Sequence, residues 1–261
     1  MSVLAARIEG IGFWTRGLPS WTAAREHALT GATPTDAATK PSPSLLPANE
    51  RRRAPETVAV ALEVAMAACE AARRDPASLP SVFASTHGEL AITDYMCATL
   101  AQEPRSLSPI RFHNSVHNAA AGYWTIGTGA MQPANAISAH EASFAQGLIE
   151  ALAQLADGSE AVLLVAYDGQ AVGPLAQVAP SEGLLGGALV LARAGEGTWL
   201  RARLVPKDAS GDAPNGPLSQ WSAGNAMAPM LPLFDALARG EGELRLPAGP
   251  AHDLIVEVTR D

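Results

Sequence analysis

From Glu160 to Tyr167 the chain is almost uninterruptedly apolar, with Ala, Val, Leu, Leu, Val and Ala leading to the tyrosine. Such a run marks a strand covered on both faces, because a strand with one wet face alternates apolar and polar residues. Just before it, Phe144, Leu148, Ile149, Leu152 and Leu155 recur at helical spacing, and Asp157-Gly158 supplies a helix stop. Earlier still, Asn135 to Ser138 reads as a short strand. A strand, a sharp turn, a helix from about Ala142 to Ala156 and a doubly buried strand call for helices layered on a sheet, the α/β class.

The remaining segments fit that frame. Val3 to Phe13 reads as an opening strand that ends at Gly10 and Gly12. A loop rich in Pro, Thr and Ala covers about 30–49, and Arg51-Arg52-Arg53 precedes a helix from about Pro55 to Arg74. Its face is Val58, Leu62, Ala65, Met66 and Cys69, with Pro55 suited to a first helical position. Ser81 to Ser85 is a short buried strand, a helix follows from about Ile92 to Ala101, and Pro109 to Phe112 is expected to be a short strand. A helix then runs through about Thr128. After the central run, Gly186 to Ala192 and Trp199 to Leu204 read as antiparallel strands. Lys207 to Gly224 reads as a polar loop, followed by a helix near Met230 to Arg239 and strands at Glu243 to Leu246 and Asp253 to Val258. The sheet is therefore expected to be mixed, with flanking helices.

Composition narrows the function classes. Hydrophobic residues make up 48 % and charged residues 17 % of 261, so a large core is expected and general disorder is not. The net charge of −8 argues against nucleic acid as a partner. No apolar run is long enough to span a bilayer and no signal peptide is visible, so a cytoplasmic protein is expected. Cys69 and Cys97 form neither a disulfide framework nor a metal spacing, and both read as small buried hydrophobes.

The turn Ser138-Ala139-His140-Glu141 has the form of an elbow that presents a nucleophile at a helix N-terminus, where the dipole and free N–H groups stabilise an anion. It carries His140 and Glu141, and no cysteine is near. Several motifs around it resemble the N-terminal half of the β-ketoacyl synthase family, which has the thiolase fold. The elbow stands where those enzymes have Thr-Ala-Cys-Ser, Ile8 to Gly12 is similar to their opening strand, and Ser181-Glu182-Gly183 to Leu191 resembles a later strand. Leu46 to Arg53 and Phe112 to Trp124 resemble chain-length-factor type members from aryl-polyene and xanthomonadin-like pigment clusters.

The resemblance implies a thiolase-like layered fold, with residues 1–205 as a ketosynthase-like N-terminal domain and 206–261 as a short extension completing or capping it. It implies a non-catalytic subunit paired with a full-length β-ketoacyl synthase and bounding an acyl or polyene tunnel. An acyl carrier protein is a second candidate partner, for which Arg51 to Arg53 offers a basic patch beside its ordinary reading as a solvated helix entrance. His140 falls on the nucleophile position, and imidazole cannot hold an acyl group as a stable thioester. The family's other catalytic residues lie in a second half for which this chain has no room. No independent condensation, no cofactor and no metal are expected.

Each candidate residue also has a plainer reading. Ser138 and Glu141 fit a capping box, in which serine caps the helix and glutamate bonds back. His140 either shapes the former pocket or packs at a core or interface. Tyr123, Trp124 and Phe144 are tunnel candidates, with core packing the alternative for each. His113 and His117 are spaced as metal ligands would be on a helix, with His140 or His87 as a third. The favoured reading of His113, Asn114, His117 and Asn118 is a polar patch at a subunit interface. Ser143 lacks a base and acid at any recognisable spacing. Two rivals stay open: an acyl-thioester decarboxylase or hydrolase using His140 and Glu141, and a homodimeric acyl-binding protein without chemistry.

Overall fold

The computed structural model describes residues 3–207 and 216–260. Strand β1 (Leu4–Thr15) leads to α1 (Trp21–Thr30), a one-turn helix α2 (Ala48–Arg51) and the long α3 (Glu56–Ala72). Then come β2 (Ser81–Ala84), α4 (Leu90–Gln102), α5 (Pro109–Asn114), α6 (Ala119–Thr128) and β3 (Ala134–Ile137). The central section continues with α7 (Ser143–Ala156), β4 (Ala161–Asp168), β5 (Leu185–Ala192) and β6 (Thr198–Pro206). The last elements are α8 (Pro217–Trp221), α9 (Leu231–Arg239), β7 (Gly242–Pro247) and β8 (His252–Thr259).

The described strands form one mixed sheet in the order β3-β2-β4-β5-β1-β6-β8-β7. The β2–β3 and β2–β4 pairs are parallel, and the others are antiparallel. All eight residues of β4 are buried, as its apolar run requires. Its Val162, Leu164 and Ala166 face one core, with Phe144, Leu148 and Leu152 of α7 and Phe234 of α9. Its Leu163, Val165 and Tyr167 face the other, built on α3 and α6. Each such Val, Leu or Phe contributes about 1.5–3 kcal/mol on burial, so these two layers hold the sheet.

The opening strand does not stop at Gly10 and Gly12 but runs through them to Thr15. A Cβ at Gly10 or Gly12 would lie 2.0 Å from the Ala68 or Val64 carbonyl oxygen of α3. These glycines let a helix backbone lie directly on the strand. Pro109 to Phe112, expected as a strand, is the start of α5. Ser108 Oγ accepts from the Arg111 N–H and Pro109 takes the first turn, a cap-and-proline helix start. Helix α1, which no apolar periodicity announces, is likewise held by its ends. Ser20 Oγ accepts from the Ala23 N–H, and Gly31 closes the C-terminus at φ 76°. Residues 208–215 of the expected polar loop at 207–224 lie outside the described residues, and its later part forms α8. Cys97 also departs from expectation: it is exposed, because α4 buries only Leu90 and Met96.

Strand β4 ends in Asp168, whose buried carboxylate fixes the loop after β2. Oδ1 accepts from Ser85 Oγ at 2.7 Å and from the His87 N–H at 3.0 Å, and Oδ2 accepts from the Thr86 N–H at 2.8 Å. Burial pushes this carboxyl up from the usual range, against the pull of the three donated hydrogen bonds and His87. Asp168→Asn turns an amide toward a donor and leaves a buried N–H unpaired. It is expected to cost roughly 1–3 kcal/mol, read as a lower urea midpoint at unchanged slope. The two thiols give a second test, because burial pushes Cys69 up to about 12. In iodoacetamide at pH 8, mass spectrometry of the folded chain is expected to show Cys97 alkylated and Cys69 modified only after denaturation.

Candidate functional site

The parallel strands β2, β3 and β4 deliver three loops to one end of the sheet, the usual place for a ligand crevice in an α/β fold. Thr86 and His87 follow β2, Ser138 to Glu141 follow β3, and Asp168 closes β4. The elbow itself is a single 3₁₀ turn, His140–Ala142, ahead of α7. His140 sits at φ 53°, in the left-handed region, which costs a non-glycine residue about 1–2 kcal/mol. Side chains hold it there. Ser143 Oγ accepts from the Ala139 N–H at 2.9 Å and donates to the His140 carbonyl at 2.7 Å. Thr86 Oγ1 also donates to that carbonyl, at 3.1 Å.

The capping box is not formed. Ser138 Oγ donates across to the Thr86 carbonyl at 3.1 Å, tying the elbow to the β2 loop. Glu141 turns outward to Lys207, with Nζ 3.5 Å from Oε1 and both side chains largely exposed, a pair worth at most about 1 kcal/mol. Ser143 is the residue that secures the turn, because its short hydroxyl sits under the strained backbone and reaches both ends. His140 is exposed rather than packed in the core.

His140 looks into a cavity of about 720 Å³. Thr86, His87 and Glu141 form its side toward the sheet, and Val178 to Pro180 close another. The rest comes from the C-terminal segment, with Asn225, Pro229, Lys207 and Arg245 among the lining residues. Asn225 pins that segment in place: its Nδ2 donates to the Glu182 carbonyl at 2.9 Å and the Asp168 carbonyl at 3.3 Å. Arg245 is paired with the buried Asp253 at 3.0 Å. None of these C-terminal residues, nor Asp168, stands out in the sequence. Only the abrupt end of the β4 apolar run at an aspartate was a usable signal.

The other predicted residues lie elsewhere. Trp124 is fully buried and packs near Phe83, and Phe144 is 2 % exposed in the α7 core. Neither lines the cavity over His140, because helical periodicity points both into the sheet. Tyr123 is half-buried, and its hydroxyl donates to Asn114 Oδ1 at 3.1 Å, with the exposed His113 ring 6.1 Å away. His117 is not on a helix with His113: α5 ends at Asn114, and the His117 Nε2 lies 2.8 Å from the Ser85 carbonyl. Asn118 is exposed and precedes α6 without capping it. Among the described residues no three His, Cys, Asp or Glu side chains cluster as metal ligands, and no helix is long and apolar enough to cross a membrane.

Known structures share this architecture. A chain of the structure described as "Ketosynthase (ApeO) in Complex with its Chain Length Factor (ApeC) from Xenorhabdus doucetiae" superposes with TM-score 0.74 at 23 % identity, over 97 % of this chain and 99 % of that one. A chain of "The ishigamide ketosynthase/chain length factor" gives 0.73 at 13 % identity, over 98 % and 99 %. A chain of the type II polyketide synthase complex AntDE:AntF gives 0.71 at 11 % identity, over the whole of both chains. These likenesses are of fold, and they make the mixed sheet with its flanking helices a thiolase-like ketosynthase fold. No curated protein sequence matches the chain. The family described as "Beta-ketoacyl synthase, N-terminal domain" matches residues 21–250. With residues 21–250 of its 261 matched, the chain belongs to the β-ketoacyl synthase N-terminal domain family.

Proposed function

We propose that this chain is a non-catalytic, cytoplasmic subunit of chain-length-factor type that pairs with a full-length β-ketoacyl synthase. Its role is to bound the tunnel for a growing acyl or polyene chain, in a pathway of aryl-polyene or xanthomonadin-like kind. The observation that carries this reading is His140, an imidazole at the elbow tip where a condensing enzyme needs a thiolate. Glu141 is engaged instead by Lys207 in an exposed ion pair at 3.5 Å. The solved complexes of similar fold, described as ketosynthases with chain-length factors, support the pairing. The complex described as an acyl-carrier protein with its ketosynthase supports an acyl carrier protein as a second partner. On this chain, Arg52 and Arg53 are exposed at the entrance to α3.

The surface supports a partner at the β3 edge. That strand is bonded to β2 on one side, and Ala134, Asn135 and Ala136 are exposed. An open edge presents unpaired backbone groups that favour pairing with another chain. The segments leading to it carry exposed apolar side chains: Phe112, Ile126 at 78 % and Met131 at 95 % exposure. Tyr123, half-buried on α6, is the side chain we assign to the tunnel wall.

Co-expression with a full-length ketosynthase tests this reading. The two are expected to co-elute in gel filtration, and Ile126→Asp with Met131→Asp is expected to weaken the complex at least tenfold, about 1.4 kcal/mol. Tyr123→Ala is expected to lengthen the product. Absence of a complex together with unchanged product length sinks the proposal, as does turnover of an acyl thioester by this chain alone.

A further inference from the structure

His87 lines two cavities. One is the 720 Å³ cavity over His140, and the other is a cavity of about 710 Å³ reaching toward Thr57 and Glu89. Each is large enough by itself for a small-molecule ligand. The backbone around His87 is fixed. Its N–H is held by Asp168, the Gly88 N–H donates to Ser85 Oγ at 2.8 Å, and the Ser85 carbonyl is taken by His117. Gly88 sits at φ 61°, with His117 only 3.4 Å from where a Cβ would stand. The ring lies close enough to Asp168 to help hold its carboxyl ionised, but it is held by no hydrogen bond at Nε2. Its Nε2 is buried and has no hydrogen-bond partner, an arrangement native proteins rarely leave unexplained. Turning the ring therefore breaks no hydrogen bond at that nitrogen.

We propose that His87 is a gate between these cavities, and that together they form an acyl-binding channel inside this chain whose depth the imidazole sets. With the ring in place the channel ends at the first cavity. With the ring turned it continues toward Glu89. The first cavity suits a hydrocarbon chain, with Val178, Pro180, Ala226, Pro229 and Pro247 on its walls. Its cations already have carboxylate partners, Lys207 with Glu141 and Arg245 with Asp253, so it is not built for a phosphate. The acyl class rests on the ketosynthase-related reading above. The channel itself needs no partner subunit.

The test uses the isolated full-length chain and cis-parinaric acid, whose fluorescence rises in an apolar site, displaced by saturated fatty acids of increasing length. Parallel displacement by the matching N-acetylcysteamine thioesters separates a free-acid site (acids only) from one for acyl thioesters (both). Either pattern supports the channel, and displacement by neither overturns it. For the unsubstituted chain affinity is expected to stop rising at medium length. His87→Ala, which keeps the backbone N–H to Asp168, is expected to move that limit by about four carbons or more. Val178→Asp, at a position 75 % exposed in the cavity wall, is expected to weaken every length about tenfold, and it keeps the proposal testable if His87→Ala does not fold. Absence of saturable parinaric binding, the same length limit in His87→Ala, or no effect of Val178→Asp overturns the proposal. None of these results bears on complex formation with a ketosynthase, which gel filtration reads separately.

Discussion

The close contact between β1 and α3 is the constraint on which the other layers depend. β1 pairs with β5 through its C-terminal part and with β6 through its N-terminal part, so it joins the four strands β2 to β5 to the last three. Helix α3 lies directly on this strand. Gly10 and Gly12 permit this by letting the Ala68 and Val64 carbonyls approach where a side chain would stand. Once α3 is seated, β4 and β5 are covered on that face, and α7 with α9 cover the other. The second core therefore requires the C-terminal segment, because Leu233, Phe234 and Leu237 of α9 pack beside Phe144 and Leu148 of α7.

At the end of this sheet an elbow keeps its shape without the nucleophile expected of it. The strained φ at His140 is sustained by Ser143 and Thr86, and strain of this kind persists only where the surroundings over-determine it. The same loop cluster is organised from below by Asp168, which spends its acceptor capacity on Ser85, Thr86 and His87. The backbone of both loops is held by side-chain hydrogen bonds, while His140 stands exposed at one cavity and His87 lines two.

Elements with a strong period were legible. The doubly buried β4, the amphipathic α7 and the α3 face announce themselves because each buries its side chains by a simple repeat. The elements that were misread depend on their ends instead. α5 looks like a strand until Ser108 and Pro109 are seen as a cap and a first turn, and α1 rests on Ser20 and Gly31. The candidate site was legible only at the elbow. Glu141 looked like a capping partner because the Ser-x-x-Glu spacing is local, but Lys207, 66 positions away by the numbering (207 − 141), draws it outward.

The sequence alone thus determined the layered α/β class, the strand–turn–helix elbow and the histidine at its tip, because periodicity and turn chemistry act over a few residues. It could not place β7 and β8 beyond β6, join Asp168 to His87, or set Asn225 and Arg245 opposite His140. Those relations span scores of residues, and they are fixed only when both faces of the sheet are buried and the loops at its end must share one small volume.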